Sequence, residues 1–144
     1  MSYFVTVAQK PGIFYGKIIS GDPATPIWQG LGELFYFSNE IHVGSFTNGK
    51  LFGKGKISSN GNTWTGYFEN GKLNGPGEIF INSKNTTRAY FGNFVNGKLD
   101  GAAQIQTNDG TVFDGFFVDG KPDLIGLFWL PDNSLRVDLY HDLQ

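Results

Sequence analysis

Apolar and polar residues alternate with a period of two through most of the chain. In Trp64-Thr-Gly-Tyr-Phe-Glu, the residues Trp64, Gly66 and Phe68 share one face of an extended strand, and Thr65, Tyr67 and Glu69 take the other. Asn70-Gly71-Lys72 follows, and Asn and Gly both tolerate the positive φ that a tight hairpin turn demands. Gly75, Gly77, Ile79 and Ile81 then alternate onto one face again. The unit reads strand, tight turn, strand, loop, with no helical period.

The unit recurs. His42-Val-Gly-Ser-Phe-Thr-Asn-Gly-Lys, Trp64-Thr-Gly-Tyr-Phe-Glu-Asn-Gly-Lys, Tyr90-Phe-Gly-Asn-Phe-Val-Asn-Gly-Lys and Phe113-Asp-Gly-Phe-Phe-Val-Asp-Gly-Lys align without gaps. Their first glycines, Gly44, Gly66, Gly92 and Gly115, lie 22, 26 and 23 residues apart, the longer spacing coming from an insertion at 82–87. Gly53-Lys-Gly-Lys-Ile, Gly75-Pro-Gly-Glu-Ile, Gly101-Ala-Ala-Gln-Ile and Leu124-Ile-Gly-Leu-Phe fill equivalent second halves. A degenerate first copy keeps Phe14, Gly16, Ile18 and Gly21, carries extra residues at 22–29, and rejoins the pattern at Gly30 and Gly32.

This pattern, Tyr/Trp-x-Gly-x-Phe-x-Asn-Gly-Lys-x-x-Gly-x-Gly-x-Ile with a period near 23, resembles the MORN repeat (membrane occupation and recognition nexus) from about residue 14 to 130. Departures are His42 at an aromatic position and Ala103 and Leu124 at glycine positions. The resemblance implies an all-β fold: an elongated, twisted antiparallel sheet of consecutive hairpins. It divides a single domain into repeats at about 14–40, 41–62, 63–88, 89–111 and 112–134, with an N-terminal cap at 1–13 and a C-terminal cap at 135–144. The N-terminal cap reads as a strand. The C-terminal one fits either a strand, Ser134-Leu-Arg-Val-Asp-Leu-Tyr, or a short helix after Asn133 and Ser134 that aligns Leu135, Leu139 and Leu143.

Composition then acquires a meaning. Glycine numbers 21 of 144, about twice its usual share of roughly 7%, and phenylalanine 14. Glycine excess alone would suggest disorder, but disordered chains are poor in aromatics. The repeat reconciles the two, because glycines on the inner face leave room for rings such as Trp64 and Phe68 to lie over neighbouring backbone. The absence of cysteine excludes disulfides and thiolate metal sites and leans toward an intracellular, cytoplasmic setting. No stretch resembles a signal peptide or a membrane span. A net charge of −2 lacks the basic footprint of a nucleic-acid binder.

No catalytic constellation emerges. His42 reads as a packed member of the aromatic row, His141 as an exposed terminal residue, and neither has metal-ligand spacing. Gly53-Lys-Gly and Gly75-Pro-Gly open no helix and so fail as phosphate loops. Asp109 and Asp114 read as solvated surface. The expectation is a protein without cofactor or metal that is not an enzyme. Such repeats do accompany catalytic domains elsewhere, as in a lysine methyltransferase, but none is present here.

Two features suit binding. Lys50, Lys72, Lys98 and Lys121 each follow a turn glycine and would line one sheet edge, either to contact anionic lipid headgroups or to protect and solubilise the edge. Tyr67, Phe80, Phe91, Phe116 and Trp129 fall on the face opposite the glycines, joined in the last repeat by Ile125 and Leu127, where a one-sided sheet should be polar. They call for cover by the chain's own termini, for a protein partner or a second copy, or for a small, nucleotide-like ligand. Trp28, at the end of the proline-stiffened insertion, is a further contact candidate.

Overall fold

The computed structural model describes residues 2–7, 10–18 and 28–139 and, within them, the side chains of 12–16, 29–123 and 126–138. Every element is a strand. The first compact unit holds β1 (Ser2–Val7), β2 (Lys10–Ile18), β3 (Trp28–Tyr36), β4 (Ile41–Thr47), β5 (Lys50–Ser59) and β6 (Asn62–Glu69). The second holds β7 (Lys72–Ser83), β8 (Thr86–Val95), β9 (Lys98–Thr107), β10 (Val112–Val118), β11 (Lys121–Trp129) and β12 (Leu135–Leu139). Strands are ordered as in the chain and consecutive strands pair antiparallel, so the fold is an open sheet of successive hairpins. The insertion at 82–87 lengthens the β7–β8 hairpin, whose pairing runs out to Ser83 opposite Thr86. Of the two readings of the C-terminal cap, 135–139 is a strand; 140–144, with His141, lies outside the described residues, as do 19–27, which take in all of the insertion at 22–29 but its last two residues.

Turn chemistry places the strands. Asn48-Gly49, Asn60-Gly61, Asn70-Gly71, Asn96-Gly97 and Asp119-Gly120 all have positive φ at both residues, the mirror-image turn whose twist matches that of paired strands. The turns are also tied to one another. The turn glycine donates its N–H to the leucine carbonyl just past the preceding turn: Gly71 to Leu51 at 3.0 Å, Gly97 to Leu73 at 2.8 Å and Gly120 to Leu99 at 2.9 Å. At the other edge, which also carries the Asn60-Gly61 turn, three turns are longer. Tyr36, Thr107 and Leu130 donate across them to Glu40, Thr111 and Ser134, and Asn39, Gly110 and Asn133 hold the left-handed position.

The inner face is built on a row of residues without side chains. Gly16, Gly32, Gly44, Gly55 and Gly66 are successive cross-strand partners in the first unit, and Gly77, Gly92, Ala103 and Gly115 in the second. The expected rings lie over them at the Trp64 position of other repeats, Phe14 and Phe113, and leucines join them. Trp64 is only half-buried, and Phe68 is buried opposite Gly53, outside the row. The gap is filled by the Phe14 ring over Gly16 and Gly32, Leu51 over Gly44 and Gly55, Leu99 over Gly92, and the Phe113 ring over Gly115. Phe14 and Leu51 are fully buried. Leucine beside the turn lysine reaches the gap because its side chain leans along its own strand toward the glycine four residues on.

A second set of glycines serves a different need. Between Gly44/Phe46 and their partners Gly55/Leu51, β5 carries two extra residues; the same bulge recurs between Gly92/Phe94 and Ala103/Leu99. Gly53 (φ 97°) and Gly101 (φ 92°) sit in these bulges without crowding where a Cβ would stand, Gly101 in open space and Gly53 at an ordinary 3.7 Å from Ser45, so they are there for backbone conformation and not for room. The bulges set Leu51 opposite Phe46 and Leu99 opposite Phe94; Phe46, Phe94 and Phe117, inward by alternation with their glycines, are buried, as is Phe68.

At the first long turn, Tyr36 is buried and packs edge-on against His42 at 5.1 Å, while His42 Nε2 pairs with Glu40 Oε1 at 2.6 Å. The histidine therefore has a packing role in the aromatic row. Burial, with Glu40 nearby, pushes the Tyr36 hydroxyl from its ordinary value of 10 up to about 12.

Two outcomes follow. Gly32→Ala brings a methyl against the Phe14 ring and should lower unfolding free energy by about 1–3 kcal/mol; Leu51→Ala, which empties the gap, should cost about 2–5 kcal/mol, both read by urea denaturation. A folded-state proton held more tightly by Tyr36 means its contribution is complete below pH 10 and lost as pH climbs toward 12. Wild type should then lose up to about 3 kcal/mol more than Tyr36→Phe across that interval in pH-dependent unfolding.

Candidate functional site

The outer face is where the unexplained aromatics lie, and its cross-strand rows decide which of them meet. In the second unit one row runs Glu78, Phe91, Gln104, Asp114, Leu127, Val137 from β7 to β12. The next runs Phe80, Ala89, Gln106, Val112, Trp129, Leu135. Phe80 and Trp129 are thus separated by three intervening strands, and Phe91 stands between Glu78 and Gln104, half-buried by them. Phe116, 57% exposed, faces Ala102 and Asp123. In the first unit Tyr67 is exposed beside Lys54, whose ammonium lies 5.8 Å from the ring centre.

The outward aromatics therefore do not form one cluster. Apolar side chains converge at the last hairpin: Val112, Leu127 and Trp129 together with Leu135 and Val137. Trp129, Leu135 and Val137 are 41%, 48% and 55% exposed. The alternation in Leu135-Arg-Val-Asp-Leu was the available signal for the last two, masked by its equal fit to a helix. The side chains of Ile125 and Trp28 lie outside the described residues.

The inner face of the same strand is polar. Arg136 lies over the Phe128 ring at 4.5 Å and pairs with Asp138 at 3.2 Å, so an ion pair caps the Phe113–Phe128 stack at the end of the core. Among the described residues no strand lies on the outer side of β12.

Sequence reasoning also passed over a hollow in the first unit. Ile13 pairs with Phe35 and Tyr15 with Glu33, placing four side chains in a block around an open depression of about 250 Å³. Tyr15 and Phe35 meet edge-to-face at 5.6 Å. The hollow was hard to find because this repeat is the degenerate one.

Lys50, Lys72, Lys98 and Lys121 are the first residues of β5, β7, β9 and β11, and all are exposed. Lys98 is paired with Asp119 of the next turn at 3.3 Å. The paired carboxylates have separate employments. Asp109 accepts from the Thr107 hydroxyl and the Thr111 N–H within its turn, which holds its carboxyl below the usual range; Asp114 accepts from Gln104 Nε2 at 3.0 Å. Among the described residues no group of three or more His, Asp or Glu is placed to hold a metal ion, and no helix is long and apolar enough to cross a membrane.

No curated protein matches the chain. The MORN repeat family matches at three consecutive segments, residues 42–63, 64–82 and 90–112. Such repeats are protein- and membrane-binding modules, and proteins made of them are typically non-catalytic. The matches, the glycine row they share and the hairpins they occupy agree in register, and residues 42–63, 64–82 and 90–112 of the chain are MORN repeats.

Proposed function

We propose that the chain is a non-catalytic binding module and that its last hairpin associates with a second copy of itself along β12. The observation that carries this reading is the strand Leu135-Arg-Val-Asp-Leu139, which complements itself. Pairing two copies antiparallel about Val137 sets Arg136 opposite Asp138 of the second copy, Asp138 opposite its Arg136, and leucine opposite leucine. The exposed Trp129, Leu135 and Val137 of the two copies then merge into one apolar strip. Both backbone edges gain hydrogen-bond partners that β12 otherwise lacks among the described residues.

Phe80, Phe91, Phe116, Leu127, Tyr67 and, by position in the chain, Ile125 and Trp28 add contact surface for protein partners in this reading. Lipid contact through Lys50, Lys72, Lys98 and Lys121 has less support, because Asp119 neutralises Lys98 and each uncompensated lysine contributes only about 1 kcal/mol.

Sedimentation equilibrium tests the pairing. Wild type should show a concentration-dependent dimer. Val137→Lys, an exposed change, should leave the fold intact and weaken the dimer at least about tenfold. Arg136→Asp and Asp138→Arg, each placing like charges opposite one another, should do the same, and the double exchange should recover association. A wild-type monomer up to about 1 mM, or a Val137→Lys dimer as tight as wild type, would overturn the proposal.

A further inference from the structure

The hollow over β2 and β3 has a composition that selects its guest. Its walls are the Tyr15 and Phe35 rings, 5.6 Å apart and nearly perpendicular, and the Ile13 side chain. The fourth member is Glu33, the direct cross-strand partner of Tyr15. Glu33 makes no ion pair or hydrogen bond among the described residues, and it is exposed. The nearest described cation in its row is Lys56, with Val43 standing between them. Tyr15 is 45% exposed, so its ring is open to a ligand.

Each class of guest meets these walls differently. An anion would face Glu33 with no opposing base in the hollow. A neutral apolar molecule would strip water from the Glu33 carboxylate without giving it a partner. A hard metal cation needs several oxygen ligands, and here there is one carboxylate. A cation with an apolar skin satisfies all four walls: its charge is drawn to the ring faces and to Glu33, and its alkyl groups cover Ile13 and the rings.

We propose that Ile13, Tyr15, Glu33 and Phe35 form a binding site for a free alkylammonium cation of the choline type. The site lies in the first unit and is independent of association through β12 in the second.

The test is an NMR titration of the isotope-labelled 144-residue chain with choline. Saturable shifts at Tyr15, Glu33 and Phe35 are expected. The uncharged carbon isostere 3,3-dimethylbutan-1-ol should bind at least about fivefold more weakly, as should choline to Glu33→Gln and Tyr15→Leu. Tyr15→Phe keeps a ring and should bind like wild type; it serves as the control for a Tyr15→Leu variant that loses its fold. Phosphocholine, whose phosphate would face Glu33, should bind more weakly than choline; tighter binding would overturn the assignment to a free cation in favour of a headgroup. Absence of saturable shifts up to about 50 mM choline, equal affinity for the neutral isostere, or undiminished binding by a folded Glu33→Gln would overturn the site itself.

Discussion

Close approach of backbone across the glycine row is the constraint on which this fold depends. A one-layer sheet has no second layer to bury its inner face, so its own side chains must cover its own backbone. That works only if part of the face has no side chains. Gly16, Gly32, Gly44 and Gly55, with Gly92, Ala103 and Gly115 in the second unit, clear a strip into which Phe14, Leu51, Leu99 and Phe113 lie down. The bulges serve the same end: two extra residues on the partner strand bring Leu51 opposite Phe46 and Leu99 opposite Phe94. Repetition is then a consequence, since each filler packs against glycines contributed by neighbouring strands.

Function, on this scaffold, is left to the outer face and to the edge of the sheet. A face that carries no structural duty can hold exposed rings at little cost to stability. The two places where apolar side chains gather differ in chemistry. At the last hairpin the outward Leu127, Trp129, Leu135 and Val137 are apolar, and Arg136 and Asp138 are turned inward to cap Phe128. Over β2 and β3 a carboxylate stands among the rings. The first arrangement suits a sheet that is to be extended, and the second suits a cation.

Most of the strand plan could be read from alternation and from Asn-Gly pairs, because positive φ is a local demand that few residues meet. The faces were legible too: Gly66-phase residues do point inward, and Tyr67, Phe116 and Trp129 outward. The ring fillers Phe14 and Phe113, at the Trp64 position of their repeats, were legible as well; the leucine fillers Leu51 and Leu99 were not. Leu51 and Trp64 both have the right parity to cover the glycines, and parity says nothing of which side chain leans into the gap. The gathering of the outer residues was hidden for a related reason. Phe80 and Trp129 share a row, yet four strand spacings of about 4.8 Å keep them apart, whereas Trp129 and Leu135 are immediate partners.

By itself the sequence determined what is local or periodic: the hairpins, the turn types, the repeat and the two faces. These follow from steric limits on φ and from a side-chain period of two, and they need no knowledge of the rest of the chain. Tertiary structure alone decided that leucines join the rings over the glycine row, which glycines serve φ and which serve room, and where outward residues become neighbours. Those depend on register, which the recurring bulges shift by two residues, so that Phe46 faces Leu51 and Phe94 faces Leu99 where an unbroken ladder would place Gly53 and Gly101.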